Sequence, residues 1–194
     1  VCLDREYTFK DGTEYKSVVS GLDHVALIRP DNSLWMFGDN TKGQLGIGES
    51  RNSYNAPIKI MEDVKAVKTK RYTTTVIKND GSMWGFGNLI SYTPKKLADN
   101  VIDADSTNGY IAYIDSKGIV YIEPSRGGEK QKIAESGKEV YIFLNSQLCS
   151  GFVTCNKRTG SFSEIKELYG KVPDLFVLVR HNDDSVIQYN VKID

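Results

Sequence analysis

The chain has 194 residues, the size of one domain or two small ones, and can hold a core without disulfides or metals. Hydrophobic residues make up 40% and charged residues 26%, a globular composition that excludes a disordered chain. The 25 basic and 25 acidic residues cancel, so no net field draws it to nucleic acid or anionic lipid, and no apolar run is long enough for a membrane helix.

The N-terminal stretch VCLDREYTF shows no signal-peptide pattern. Tyr7 to Tyr15, around Asp11 and Gly12, reads as a strand, a turn and a strand. Short apolar runs rich in β-branched and aromatic residues follow: 25–28, 34–37, 111–114, 119–122, 140–144 and 176–179. Few alternate strictly with polar residues, which predicts strands covered on both faces. Turn residues separate them: Asp31–Asn32, Asp80–Gly81, Lys117–Gly118, Thr159–Gly160 and Asp183–Asp184. Ser161 to Glu164 has the spacing of a capping box, with Gly170 behind it, and predicts one or two helical turns in an otherwise all-β chain. Cys2, Cys149 and Cys155 form no C-x-x-C pair and read as reduced thiols. On one strand Cys149 and Cys155 would stand about 20 Å apart, too far to bridge.

The runs repeat. Segment 18–38 overlays 66–87, so Asp31 meets Asp80, Trp35 meets Trp84, and Phe37–Gly38 meets Phe86–Gly87. In a third copy Gly118 meets Gly81 and Tyr121 meets Trp84. The joints recur too: 57–64 matches 94–101, and 168–172 resembles both. This predicts one repeat domain over 1–194, with units near 15–63, 64–100, 101–139, 140–171 and 172–194, and with 1–15 as completing strands. A period of roughly 35–50 residues with about four short strands per unit is the pattern of propeller blades. The expected architecture is a β-propeller-like array of four to five blades in an incomplete or truncated ring. Trp35, Trp84 and Tyr121 are expected as wedges between sheets, so that Trp35→Ala would cost roughly 3–5 kcal/mol.

Residues 21–48 resemble the repeat of the regulator of chromosome condensation family. Gly21, His24, Leu27, Asp31, Trp35, Gly38, Asn40, Gly43, Gln44, Leu45, Gly46 and Gly48 carry the match. The second copy keeps Asp80, Gly81, Trp84 and Gly87, has Thr73 where the first has His24, and lacks the Gly-Gln-Leu-Gly segment. From residue 101 onward only the strand–turn–strand rhythm, with Gly118 and Tyr121, survives. The resemblance implies a β-propeller, most often seven-bladed, used as a binding platform. It gives His24 and residues 43–48 structural roles.

Catalytic patterns are weak. His24 and His181 assemble no Ser-His-Asp order. Asp103 and Asp105 stand in a segment faintly like a calcium loop, but Asn108 replaces its glycine and Ile114 its bidentate glutamate. Gly127–Gly128 lacks the continuation of a phosphate loop. Lys65, Lys68, Lys70 and Arg71 form a small basic cluster beside Tyr72, read as a solvated loop or a partner contact. No metal, cofactor, nucleic acid or membrane insertion is therefore expected.

Blade topology places the longer loops on one face. Arg51, Tyr54, Lys70, Arg71, Tyr72, Tyr92 and Arg126 lie in or near them, and Tyr and Arg are enriched at binding hot spots. The expected function is a non-enzymatic module that binds an unidentified protein partner through that face. The resemblance also allows an inhibitor of a β-lactamase or protease, or a guanine-nucleotide exchange factor for a small GTPase. Self-association through exposed blade edges is expected as well. The lysine-rich bias suggests a bacterial source, with a secreted or cell-surface location slightly favoured over the cytoplasm.

Overall fold

The computed structural model describes residues 7–8, 14–144 and 175–191. The capping box at 161–164 with Gly170, the joint at 168–172, the Thr159–Gly160 turn and all three cysteines lie outside them. Strands β1 (Tyr7–Thr8) and β2 (Glu14–Tyr15) form a two-stranded antiparallel ribbon. The first four-stranded sheet contains β3 (Ser17–Ser20), β4 (His24–Ile28), β5 (Leu34–Asp39) and β6 (Ser53–Met61). The second contains β7 (Val64–Thr69), β8 (Thr73–Lys78), β9 (Met83–Gly87) and β10 (Ser91–Ala98). The third contains β11 (Val101–Thr107), β12 (Tyr110–Asp115), β13 (Val120–Pro124) and β14 (Gln131–Ala134). The last has three strands, β15 (Gly137–Leu144), β16 (Leu175–His181) and β17 (Val186–Asn190). Each sheet is an antiparallel meander in chain order, and no helix occurs among the described residues. The stretches read separately as 140–171 and 172–194 thus contribute to one sheet.

One joint, used three times, explains the period. The turn between the second and third strands of a sheet accepts a backbone hydrogen bond from the start of the following sheet. Val64, Val101 and Gly137 donate to the carbonyls of Asn32, Gly81 and Gly118 at 2.8, 2.8 and 2.9 Å. The corresponding turn of that following sheet donates back through Asn79, Ser116 and Asn182 to Asp63, Asn100 and Ser136, at 3.0, 2.7 and 3.0 Å. Asp63, Asn100 and Ser136 adopt positive φ of 64°, 57° and 58°, a conformation in which Asn and Asp are enriched.

The sheets stack in chain order around three apolar cores. Ala26, Ile28, Leu34 and Met36 of the first sheet meet Val64, Val67, Val76 and Phe86 of the second. Ile77 and Met83 meet Val101, Ala104, Ile111 and Tyr113. Ala112, Ile114, Val120 and Ile122 meet Val140, Ile142, Leu175, Val177 and Val179. Inner strands therefore carry apolar side chains on both faces, as the missing alternation required. No core joins the fourth sheet to the first among the described residues. The described residues thus form an all-β, propeller-like array, with no closed ring among them.

The aromatic wedge is only partly what the repeat suggested. Trp84 and Tyr121 pack at the margins of cores and face the preceding sheet. Leu34 and Met36 point into the first core, so strand alternation puts Trp35 on the opposite face of its sheet. There the Arg29 guanidinium lies 3.8 Å from its ring centroid. None of the three aromatics is fully buried; Leu34, Met36, Met83 and Phe86 are. The reason is polar. Asp31 accepts from the backbone N–H and hydroxyl of Ser33, and the Trp35 indole N–H donates to Ser33 Oγ at 2.8 Å. Asp80, Ser82 and Trp84 repeat this arrangement, with the indole bond at 2.9 Å. The bond keeps each indole beside a surface turn rather than deep between sheets.

Candidate protein-interaction face

Antiparallel meanders bring the 21–23, 40–52, 70–72, 88–90, 108–109 and 125–130 connections to one end of the array. They are linked sideways. The Asn88 backbone N–H donates to Tyr72 O at 2.9 Å, and Asn88 Nδ2 donates to Asn108 Oδ1 at 2.5 Å. Ser125 N–H donates to Gly109 O at 2.8 Å. The 40–48 segment is the most elaborate connection. Buried Asn40 accepts from Leu45 N–H at 3.0 Å and donates to Glu49 O at 2.9 Å. Buried Gln44 donates to Asp39 and accepts from Lys42 N–H. The folded loop then grips the second sheet: Gly48 N–H donates to Tyr92 O at 2.8 Å, and Thr74 Oγ1 donates to Gln44 O at 2.9 Å. Gly46, at a φ of 74°, lies flat on the Phe86 ring; a Cβ there would come within 2.8 Å of it. Gly43 makes the same close approach to the Tyr92 ring.

His24 lies beneath this loop. It is buried, its Nε2 is 3.3 Å from Thr74 Oγ1, and a Cβ on Gly21 would collide with its ring. Burial drives the imidazole down to about 4, against the pull of nearby Asp39. The ring is a neutral spacer between sheets; in the second copy Thr73 stands in its place, with its Oγ1 2.9 Å from Ser106 Oγ of the third sheet.

The residues expected to contact a partner separate into three groups. Arg71 is exposed and stacks on the half-buried Tyr72 ring with its guanidinium 5.0 Å from the centroid. Arg51 and Arg126 are also exposed, and Tyr92 is 52% exposed beside the clamp loop. Tyr54 packs against the first core, and its hydroxyl donates to the Glu49 carboxylate, which raises the phenol. Lys70 turns inward: its ammonium pairs with Asp105 at 3.2 Å and stands 4.8 Å from the Phe143 centroid. The expectation of Lys70 as a loop contact gives way to an ion pair between sheets. Lys68 behaves likewise, pairing with Asp103 at 2.7 Å. Among the described residues no group of His, Cys, Asp and Glu side chains could hold a metal ion.

Residues 15–44 match one model of the regulator of chromosome condensation (RCC1) repeat, and residues 31–70 match a second. Residues 15–70 are thus similar to RCC1 repeats. The fold of the chain is similar to that of human WBSCR16, with a TM-score of 0.63 over 96% of this chain and 49% of that one, at 16% identity. It is also similar to Prp20p from Saccharomyces cerevisiae, with a TM-score of 0.50 over 61% of this chain and 36% of that one, at 17% identity. The chain thus spans between a third and a half of these solved relatives. No curated protein sequence matches it.

The RCC1 signature accounts for the clamp between the first two sheets and is silent on the later ones. Asp103 and Asp105 of β11 are the main residues that sequence reasoning passed over, since their spacing was weighed only against a calcium loop. Asp103 accepts from Val140 N–H at 2.8 Å and Asp105 from Ile142 N–H at 3.1 Å, so both hold the edge of β15. Burial pushes the Asp103 carboxyl upward despite Lys68. The signal that could have found them is the spacing of Lys68 and Lys70, at and just past the end of β7, which matches that of Asp103 and Asp105 on β11 of the next unit.

Proposed function

We propose that the chain is a non-catalytic RCC1-type module that binds a protein through the long-loop end. The observation that carries this reading is the set of exposed Arg51, Arg71, Arg126 and Tyr92 with the half-buried Tyr72, on the loops and the start of β10 at the long-loop end. Exposed Tyr and Arg on a preorganised scaffold lose little entropy on binding. The reported binding of Prp20p to Gsp1p and histones supports a protein rather than a small molecule as partner. The test places a photo-crosslinking residue at Arg126 in the cell of origin, identifies the captured protein and measures its affinity with purified components. Arg71→Ala with Tyr72→Ala should weaken binding at least about tenfold, the loss of one modest hot spot, and leave the melting temperature unchanged. Unchanged affinity would remove the loop end from the interface.

A further inference from the structure

A groove of about 280 Å³ lies on the outer rim between the second and third sheets, bordered by Leu97, Asp99, Tyr113, Tyr121, Glu123 and Lys130. Its floor is the ring pair Tyr113 and Tyr121, directly opposite each other in register, with centroids 5.4 Å apart and planes tilted by 35°. The equivalent pair in the second sheet is Val76 with Trp84, followed by Phe86, which is fully buried and closes that interface. In the third sheet the place of Phe86 is taken by Glu123, half-buried. The exchange leaves an open, acid-lined slot where the preceding repeat has a sealed apolar contact. Loss of solvent pushes the Glu123 carboxyl upward, against Lys130 and Lys95. Asp99 and Asp115 stand at the rim.

One ammonium already sits there. Lys130 Nζ is 4.2 Å from the Tyr121 centroid and 5.8 Å from that of Tyr113. Aromatic faces attract cations, and neighbouring carboxylates add to that attraction. The slot is walled by strands of the second and third sheets, whereas the cation is brought by the 125–130 connection. Residues 126–130 are exposed, Gly127 and Gly128 have φ of 91° and 158°, and a Cβ on Gly127 would meet nothing within 4 Å. A seat shaped for an ammonium, filled from a loop that leans in from outside, can accept the same group from another molecule.

We propose that this groove recognises a cationic side chain, foremost lysine, of a protein partner, and that Lys130 is its internal stand-in. The site is distinct from the long-loop end and does not depend on that reading. The test titrates the full chain, wild type and Lys130→Ala, with Nα-acetyl-lysine amide at constant ionic strength while NMR follows the Tyr113 and Tyr121 rings. Lys130→Ala should saturate with a Kd about five-fold below that of the wild type, the size of one cation–ring contact. Adding Tyr121→Leu or Glu123→Gln should cancel that gain, and Glu123→Gln decides the matter should Tyr121→Leu fail to fold. Shifts that never saturate in Lys130→Ala, or that persist undiminished in both double variants, would show that Lys130 merely fills the groove. A lysine-centred pentapeptide should bind more tightly than the amide; equal affinity would overturn the assignment to a protein partner.

Discussion

The junction between the first and second sheets and the junction between the third and fourth do the same mechanical job with different chemistry. At the first junction a glycine-rich loop closes over the neighbouring sheet, and its own amides and backbone satisfy most of its polar groups. At the second, two carboxylates from β11 hold the backbone of β15 and are neutralised by Lys68 of β7 and by Lys70 just beyond its end. Fading of the repeat signature along the chain is thus a change of fastening and not a loss of the fold. A loop clamp needs particular residue types in a particular order. An ion-pair fastening needs only complementary charge at matching strand positions, so it leaves little trace in any one repeat.

The sharpest way to break this contrast is Asp105→Ala. The Asp105 side chain is 1% exposed, and its removal leaves the buried Ile142 N–H without its acceptor and the mostly buried Lys70 ammonium, 19% exposed, without its counter-charge. Breaking a buried pair from one side should cost roughly 3–5 kcal/mol in urea unfolding, while Asp105→Asn, which keeps an acceptor for Ile142, should cost less. A loss below about 1 kcal/mol would mean that the carboxylates do not fasten the third sheet to the fourth.

The first junction should respond to acid instead. His24 ionises near 4 in the folded chain and near 6.5 in the unfolded one, so between these values the unfolded state binds more protons. Its contribution is fully present above about pH 6.5 and is lost as the pH falls toward 4, by up to about 3 kcal/mol. His24→Gln should flatten that part of the stability–pH curve. An unchanged slope would assign the acid sensitivity to other groups.

A smaller difference separates the two tryptophans. Trp84 borders the core between the first and second sheets, and Trp35 faces away from it. Trp84→Ala should cost about 2 kcal/mol, in keeping with partial burial of a large ring, and Trp35→Ala about half as much. Equal costs, read from paired thermal melts, would show that both rings are buried alike on folding.

Much of this molecule could be read from its amino acids. Strand runs such as 25–28 and 111–114, the Asp31 and Asp80 turns and the Gly43 to Gly48 segment specify local geometry through residue type, because β-branched runs, Asx turns and positive-φ glycines are local properties. They were enough to give an all-β repeat array and its approximate period. Local rules also explain the misplaced wedge: the repeat position of Trp35 and Trp84 was visible, but the depth of an indole depends on what its N–H bonds, here Ser33 and Ser82. Lys70 looked like a free loop cation beside Tyr72 until Asp105, 35 positions later in the numbering, was brought to 3.2 Å from it. Likewise Tyr113, Tyr121, Glu123 and Lys130 form a groove only because β10 and the third sheet are stacked. Charge pairs and clefts between sheets are long-range contacts, and only the tertiary structure determines which side chains meet there.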